Sequence, residues 1–101
     1  MYLARFSYDV LPVHREEAMD FIRREAQAAR EKGLEARLLV PLTRSAGGAA
    51  LQFEVELKDL ADLDVFRRRG MGTSEETSAW IRAFSEILAA PPTTEIFRLA
   101  D

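Results

Sequence analysis

Cysteine is absent from the sequence, and histidine occurs once. The first absence excludes disulfides, thiolate metal sites and a cysteine nucleophile. The second excludes a zinc centre built on several imidazoles. Asparagine is missing as well. No apolar run approaches the ~20 residues that span a membrane. The opening Met-Tyr-Leu-Ala-Arg-Phe-Ser-Tyr-Asp lacks the basic and then apolar segments of a secretory signal. The closing Ile-Phe-Arg-Leu-Ala-Asp carries no lipidation motif. A formal charge of -3 provides no basic field for nucleic acid or acidic membranes. Repeats, low-complexity tracts and linkers are not seen.

What is present is a balanced globular composition. Of 101 residues, 48% are hydrophobic and 31% charged, which is too apolar for disorder. The length fits a single domain over residues 1–101 with a modest core. A cytoplasmic protein is expected.

Periodicity divides the chain into elements. Tyr2, Ala4, Phe6, Tyr8 and Val10 alternate with Leu3, Arg5, Ser7 and Asp9, the pattern of a half-buried strand. Pro12 ends it. From about His14, Ala18, Phe21, Ile22, Ala26 and Ala29 follow helical spacing, with Glu16 and Glu17 in the favoured first turn. Gly33 is placed to stop that helix. Ala36, Leu38, Val40 and Leu42 form the apolar side of a second strand. Leu51, Phe53, Val55 and Leu57 form that of a third, opposed by Gln52, Glu54, Glu56 and Lys58. Arg44-Ser45-Ala46-Gly47-Gly48 between them reads as a hairpin loop. Asp59 starts a short helix with Leu60, Leu63 and Phe66 inward, ending near Gly70 or Gly72. Thr73 and Glu76 are spaced as a capping box for a longer helix. Its apolar stripe is Trp80, Ile81, Phe84, Ile87 and Leu88, and Pro91 and Pro92 end it. Thr94 to Leu99 is the last strand.

The order β-α-β-β-α-α-β predicts an α+β, ferredoxin-like fold with a four-stranded antiparallel sheet. That plan places the first and third strands side by side in the middle. Arg5 is then expected near Glu54 or Gln52, on the face away from the helices. That face reads either as a solvated surface with cross-strand ion pairs or as the wall of a cavity closed by a second sheet.

The layout resembles the dimeric α+β barrel superfamily, and within it NIPSNAP-like and antibiotic-biosynthesis-monooxygenase-like domains. The pieces that carry the likeness are the Tyr2–Val10 strand and the Phe53-Glu54-Val55-Glu56-Leu57 strand. The Asp59-Leu60-Ala61-Asp62-Leu63 helix start, the Trp80-Ile81-Arg82-Ala83-Phe84 helix and the Thr94-Glu95-Ile96-Phe97-Arg98 strand complete it. The resemblance implies a homodimer whose two sheets form a barrel, with a cleft for a small aromatic or hydrophobic ligand. It implies a cofactor-independent monooxygenase or isomerase. The alternative is a non-catalytic ligand-binding, sensor or assembly module. Haem-degrading members of similar layout use an Asn, a Trp and a His. Here there is no Asn, His14 precedes the first helix, and only Trp80 remains. That activity is not carried over, and no cofactor is expected.

Single residues narrow the site. His14 is the one candidate acid or base of the imidazole type. Trp80 and Phe84 share a helix face that packing alone explains. Tyr2 and Tyr8 share the apolar strand face, where a buried hydroxyl needs a partner. Arg67-Arg68-Arg69 suits a helix C-terminus. Gly70-Met71-Gly72 and Gly47-Gly48 lack phosphate-loop spacing. Glu54 and Glu56 lie on one strand face, roughly 7 Å apart by strand rise. That spacing is common by chance, and a chain this small has no glycan groove. The outward third-strand residues are acidic or amide where RNA-binding sheets carry aromatics. The expected pocket therefore uses Arg5 and Ser7 as polar anchors and Tyr8, Trp80 and Phe84 as wall, with no metal. Expected partners are a second copy and a small ligand, not nucleic acid or membrane.

Overall fold

A computed structural model describes residues 1–43, 50–62 and 74–100, with the backbone alone at 74–78. The first strand, β1, covers Tyr2–Tyr8. A 3-10 turn at Pro12–His14 leads into α1, Arg15–Glu31. Two strands follow, β2 at Glu35–Leu39 and β3 at Leu51–Leu57. A helical turn stands at 60–62, and α2 covers Ser74–Ile87. The last strand, β4, covers Thr93–Arg98. The sheet order is β2-β3-β1-β4, every neighbour antiparallel. This is the ferredoxin-like arrangement.

The first helix follows its pattern closely. Ala18, Phe21, Ile22, Ala26 and Ala29 are all buried. The three alanines among them let the helix sit close on the sheet, where it contacts β2 and β3. Helical backbone starts at Arg15, one residue after the expected start, because Pro12 and Val13 are taken up in the 3-10 turn. The helix stops where Gly33 adopts φ +82°. The Gly33 N–H donates to the Arg30 carbonyl at 2.9 Å, and the Leu34 N–H to the Ala29 carbonyl at 3.1 Å. This pair of bonds satisfies the last carbonyls of the helix. The Arg30 guanidinium then donates twice to the Ala36 carbonyl, tying the helix end to β2.

The covered face of the sheet holds the core. Ala4, Phe6 and Tyr8 from β1 meet Leu51, Phe53, Val55 and Leu57 from β3, all buried. Phe6 stacks on Phe53 with centroids 5.7 Å apart. From α2, Phe84 and Ile87 join them. Val10 and Leu88 close one end through an isolated bridge.

Several expectations need correction. Leu42 is 97% exposed, since β2 stops at Leu39 before Pro41 removes a ladder donor. Leu60 is 46% exposed. Asp59 and Asp62 nevertheless build a capping box there. The Asp59 side chain accepts from the Ala61 N–H at 3.0 Å, and the Asp62 side chain from the Asp59 N–H at 3.3 Å. Ile81 is 51% exposed, so the buried stripe of α2 is narrower than expected. The helix ends at Ile87, short of the two prolines. The last strand is one residue earlier than expected, Thr93 to Arg98. Leu3 is buried although it belongs to the polar side of β1. The hairpin loop at Arg44–Gly48, Leu63, Phe66, Arg67–Arg69, Gly70–Gly72 and Thr73 lie outside the described residues, as does the Glu76 side chain.

Candidate functional site

Two groups of residues stand out, one on each side of β1. The first lies between sheet and helices. Tyr8 ends β1 facing inward, with its ring 5.0 Å from that of Phe84. Phe84 stacks nearly parallel on Phe21 of α1 at 5.2 Å. Trp80 meets Phe84 edge-on at 5.3 Å and Phe21 at 6.1 Å. These spacings suit aromatic pairs worth about 0.5–1.5 kcal/mol each beyond their buried area. The spacing of Phe84 one turn after Trp80 puts both on the sheet-facing side of α2.

This aromatic nest has two polar handles. The Tyr8 hydroxyl donates to the Glu25 carboxylate of α1 at 3.5 Å. The Trp80 Nε1–H is buried and has no acceptor among the described residues. A buried donor without an acceptor costs roughly 1–3 kcal/mol. A ligand oxygen beside it would recover that cost.

The second group lies on the open face. Glu54, in the middle of β3, is buried with 4% of its side chain exposed, although no described helix covers it. Two arginines cover it instead. The Arg5 Nε donates to one carboxylate oxygen at 2.6 Å and the Arg37 Nε to the other at 2.9 Å. Arg37 also reaches Glu56 at 3.5 Å. Register explains the grouping, because Arg5, Glu54 and Arg37 are successive cross-strand partners on β1, β3 and β2. The Glu54 hydrogen bond, assisted by its charge and by Glu56, raises the Arg37 pKa above its ordinary value. Arg37 thus keeps its charge at any working pH. Arg5 also lies over the Phe97 ring, 5.1 Å from its centroid. Ser7 accepts from the Gln52 amide at 3.3 Å.

The single pocket expected from the sequence is therefore divided. Arg5 and Ser7 are on the open face, and Tyr8, Trp80 and Phe84 are between sheet and helices. Alternation sends neighbouring residues of one strand to opposite faces. His14 joins neither group. It stands at the start of α1 with Nδ1 3.7 Å from the Glu17 carboxylate, both side chains substantially exposed. Sequence reasoning missed Phe21 and Glu25 as part of the aromatic nest. Phe21 is visible as an inward helix residue, but its pairing with Trp80 depends on how α1 and α2 pack. Glu25 carries no pattern of its own. Among the described residues no three His, Cys, Asp or Glu side chains group to hold a metal. No described helix is long and apolar enough to cross a membrane.

The fold that positions these residues is shared with solved structures. A crystal structure of an antibiotic biosynthesis monooxygenase is 14% identical, covers 100% of both chains and has a TM-score of 0.75. An uncharacterized NIPSNAP domain protein from Burkholderia xenovorans is 12% identical at a TM-score of 0.73, over 99% of this chain and 95% of its own. The chain shares their ferredoxin-like fold. A dimeric ferredoxin-like protein of unknown function from Thermobifida fusca aligns over 97% of this chain and 90% of its own, with 14% identity and a TM-score of 0.67. No family model matches the chain. No curated protein matches it either. At these identities the likeness is one of fold.

Proposed function

We propose that the protein is a homodimeric α+β barrel that binds a small aromatic or hydrophobic compound between its sheet and helices. On this reading it acts as a cofactor-independent monooxygenase or isomerase. The observation that carries the reading is the nest of Tyr8, Phe21, Trp80 and Phe84 with its two polar handles. An apolar site with a few convergent polar groups is the usual composition of a small-molecule pocket. On this reading a planar ligand takes its place among rings that otherwise pack on one another, the Trp80 N–H meets a ligand oxygen, and the Tyr8–Glu25 pair takes the proton of a ligand hydroxyl. The phenolate formed in this way gives an electron to dioxygen, the two radicals join as a ring hydroperoxide, and loss of water leaves a quinone, so one oxygen atom stays on the ligand and the other leaves as water. The same proton removal followed by return at another atom is an isomerisation. The monooxygenase likeness of the fold supports the first of these.

The dimer is supported by the open face. Leu39 and Phe97 lie there partly uncovered among charges, and β4 is exposed along its whole length. A second sheet would cover that apolar area. A dimeric neighbour of the same fold adds to the argument.

Trp80 is the sole tryptophan, so its emission reports on the nest directly. Titration with a hydroxylated naphthalene is expected to quench it saturably, with Tyr8→Phe weakening binding several-fold. Oxygen uptake or a shifted absorption band of the compound would then distinguish oxygenation from isomerisation. Saturable quenching with neither change would favour a non-catalytic binding module. No saturable quenching at millimolar compound would overturn the ligand site and leave an assembly module.

A further inference from the structure

We propose that Arg5 and Glu95 form a reciprocal pair of salt bridges across the dimer axis, Arg5 of each copy meeting Glu95 of the other. The inference rests on the reading of the protein as a homodimer closed through its open sheet faces.

The argument starts from an opposite-charge pair that does not form. Arg5 and Glu95 are direct cross-strand partners on β1 and β4, so both stand on the open face. Neighbours of opposite charge at such positions ordinarily pair. Here no bond joins them. Arg5 instead turns toward β3, where its Nε donates to Glu54, and its plane rests near the Phe97 ring. Only the Nε edge of the guanidinium is used. The two Nη groups have no partner among the described residues, and neither has the exposed Glu95 carboxylate.

Arg5 is thus a guanidinium held in place at its root with its outer fork free. Glu54 and Phe97 fix the side chain, so little rotamer freedom remains to be lost on engaging a carboxylate. The free fork and the free carboxylate are side by side on the same surface. A two-fold axis brings the same patch of both copies together, so that residue i meets residue j and j meets i. An adjacent donor and acceptor left over within one chain are therefore mutually complementary between two. Closing the faces without such pairing would leave a guanidinium edge and a carboxylate shut away from water, which is costly. The chemistry on offer is a carboxylate at each Arg5 fork, and the copy supplies it.

The test measures the dimer dissociation constant by sedimentation for the wild-type chain, Glu95→Gln, Arg5→Lys and the double variant. Glu95 makes no side-chain bond among the described residues, so Glu95→Gln should fold normally and weaken the dimer about tenfold or more, since two bridges are lost. Arg5→Lys keeps the charge but loses the fork, and should weaken it by a smaller factor. The double variant should be no weaker than Glu95→Gln alone, because the lost interaction is shared. Added salt should weaken the wild-type dimer more than that of Glu95→Gln. A wild-type chain of 11.4 kDa mass at all concentrations would overturn the homodimer reading itself. A wild-type dimer that Glu95→Gln leaves unchanged, or that salt strengthens, would overturn the bridge alone.

Discussion

The two faces of the sheet are built from the same three inner ladders and solve opposite problems. On the helix face, Leu51, Phe53, Val55 and Leu57 of β3 are fully buried under α1 and α2. Their stabilisation is the removal of apolar area from water, and it needs no particular partner. On the open face the alternate residues Gln52, Glu54 and Glu56 are polar, and their order depends on named bonds to Ser7, Arg5 and Arg37. One side chain, that of Glu54, is as buried as a core residue although no described element of its own chain lies above it. The contrast teaches that burial here has two sources. One is a covering element, and the other is the ion-pair ladder itself. The first tolerates changes that keep volume and apolarity. The second fails when a single charge is removed.

Substitutions can separate the two. Phe84→Ala on the helix face should have the largest effect, about 3–5 kcal/mol, because Phe84 packs on Tyr8, Phe21 and Trp80 together. Urea unfolding measures this, against a total of about 5–15 kcal/mol for such a domain. A wild-type midpoint would mean that α2 presents another face to the sheet. Glu54→Ala on the open face should cost less, about 1–3 kcal/mol. It leaves two guanidinium groups facing each other, which in the separated chain are exposed enough to be hydrated. If chemical denaturation shows no loss, the open face is an ordinary solvated surface and the contrast collapses.

Smaller effects sharpen the picture at its edges. Gly33→Ala has open space for its methyl group, so its cost is the left-handed backbone alone, about 1–2 kcal/mol, readable as a lowered melting temperature. Tyr8→Phe should cost under about 1 kcal/mol in stability, since its bond to Glu25 is long at 3.5 Å. Ligand binding, not unfolding, is where that hydroxyl is expected to register. Leu42→Ser should be silent within about 0.5 kcal/mol by the same melts. A larger loss would show that this exposed leucine is covered in solution.

Much of this was readable along the chain. The inward residues of α1 and the four apolar residues of β3 were all placed by periodicity, and Gly33 by its position after the last inward alanine. Strand order set Arg5 near Glu54 or Gln52, and the structure pairs it with Glu54. The failures share a cause. Leu42, Leu60 and Ile81 were assigned inward because they are apolar at the right spacing, but each lies where its element ends or where no layer covers it. Periodicity reports which side a residue is on, not whether anything is there to bury it. The site was legible only as a set of residue types. Tyr8, Trp80 and Phe84 do come together, while Arg5 and Ser7 are one residue out of phase with Tyr8 and so face the other way.

Sequence by itself determined the elements, their order and the polarity of each face, because these depend on spacing within ten or so residues. Only the tertiary structure decided that Phe21 and Glu25 of α1 join Trp80 and Phe84 of α2 beside Tyr8. It alone decided that Arg5 turns to Glu54 and leaves Glu95. Both outcomes depend on distances between elements far apart in the chain, and on the competition of one side chain among several partners, which no local pattern records.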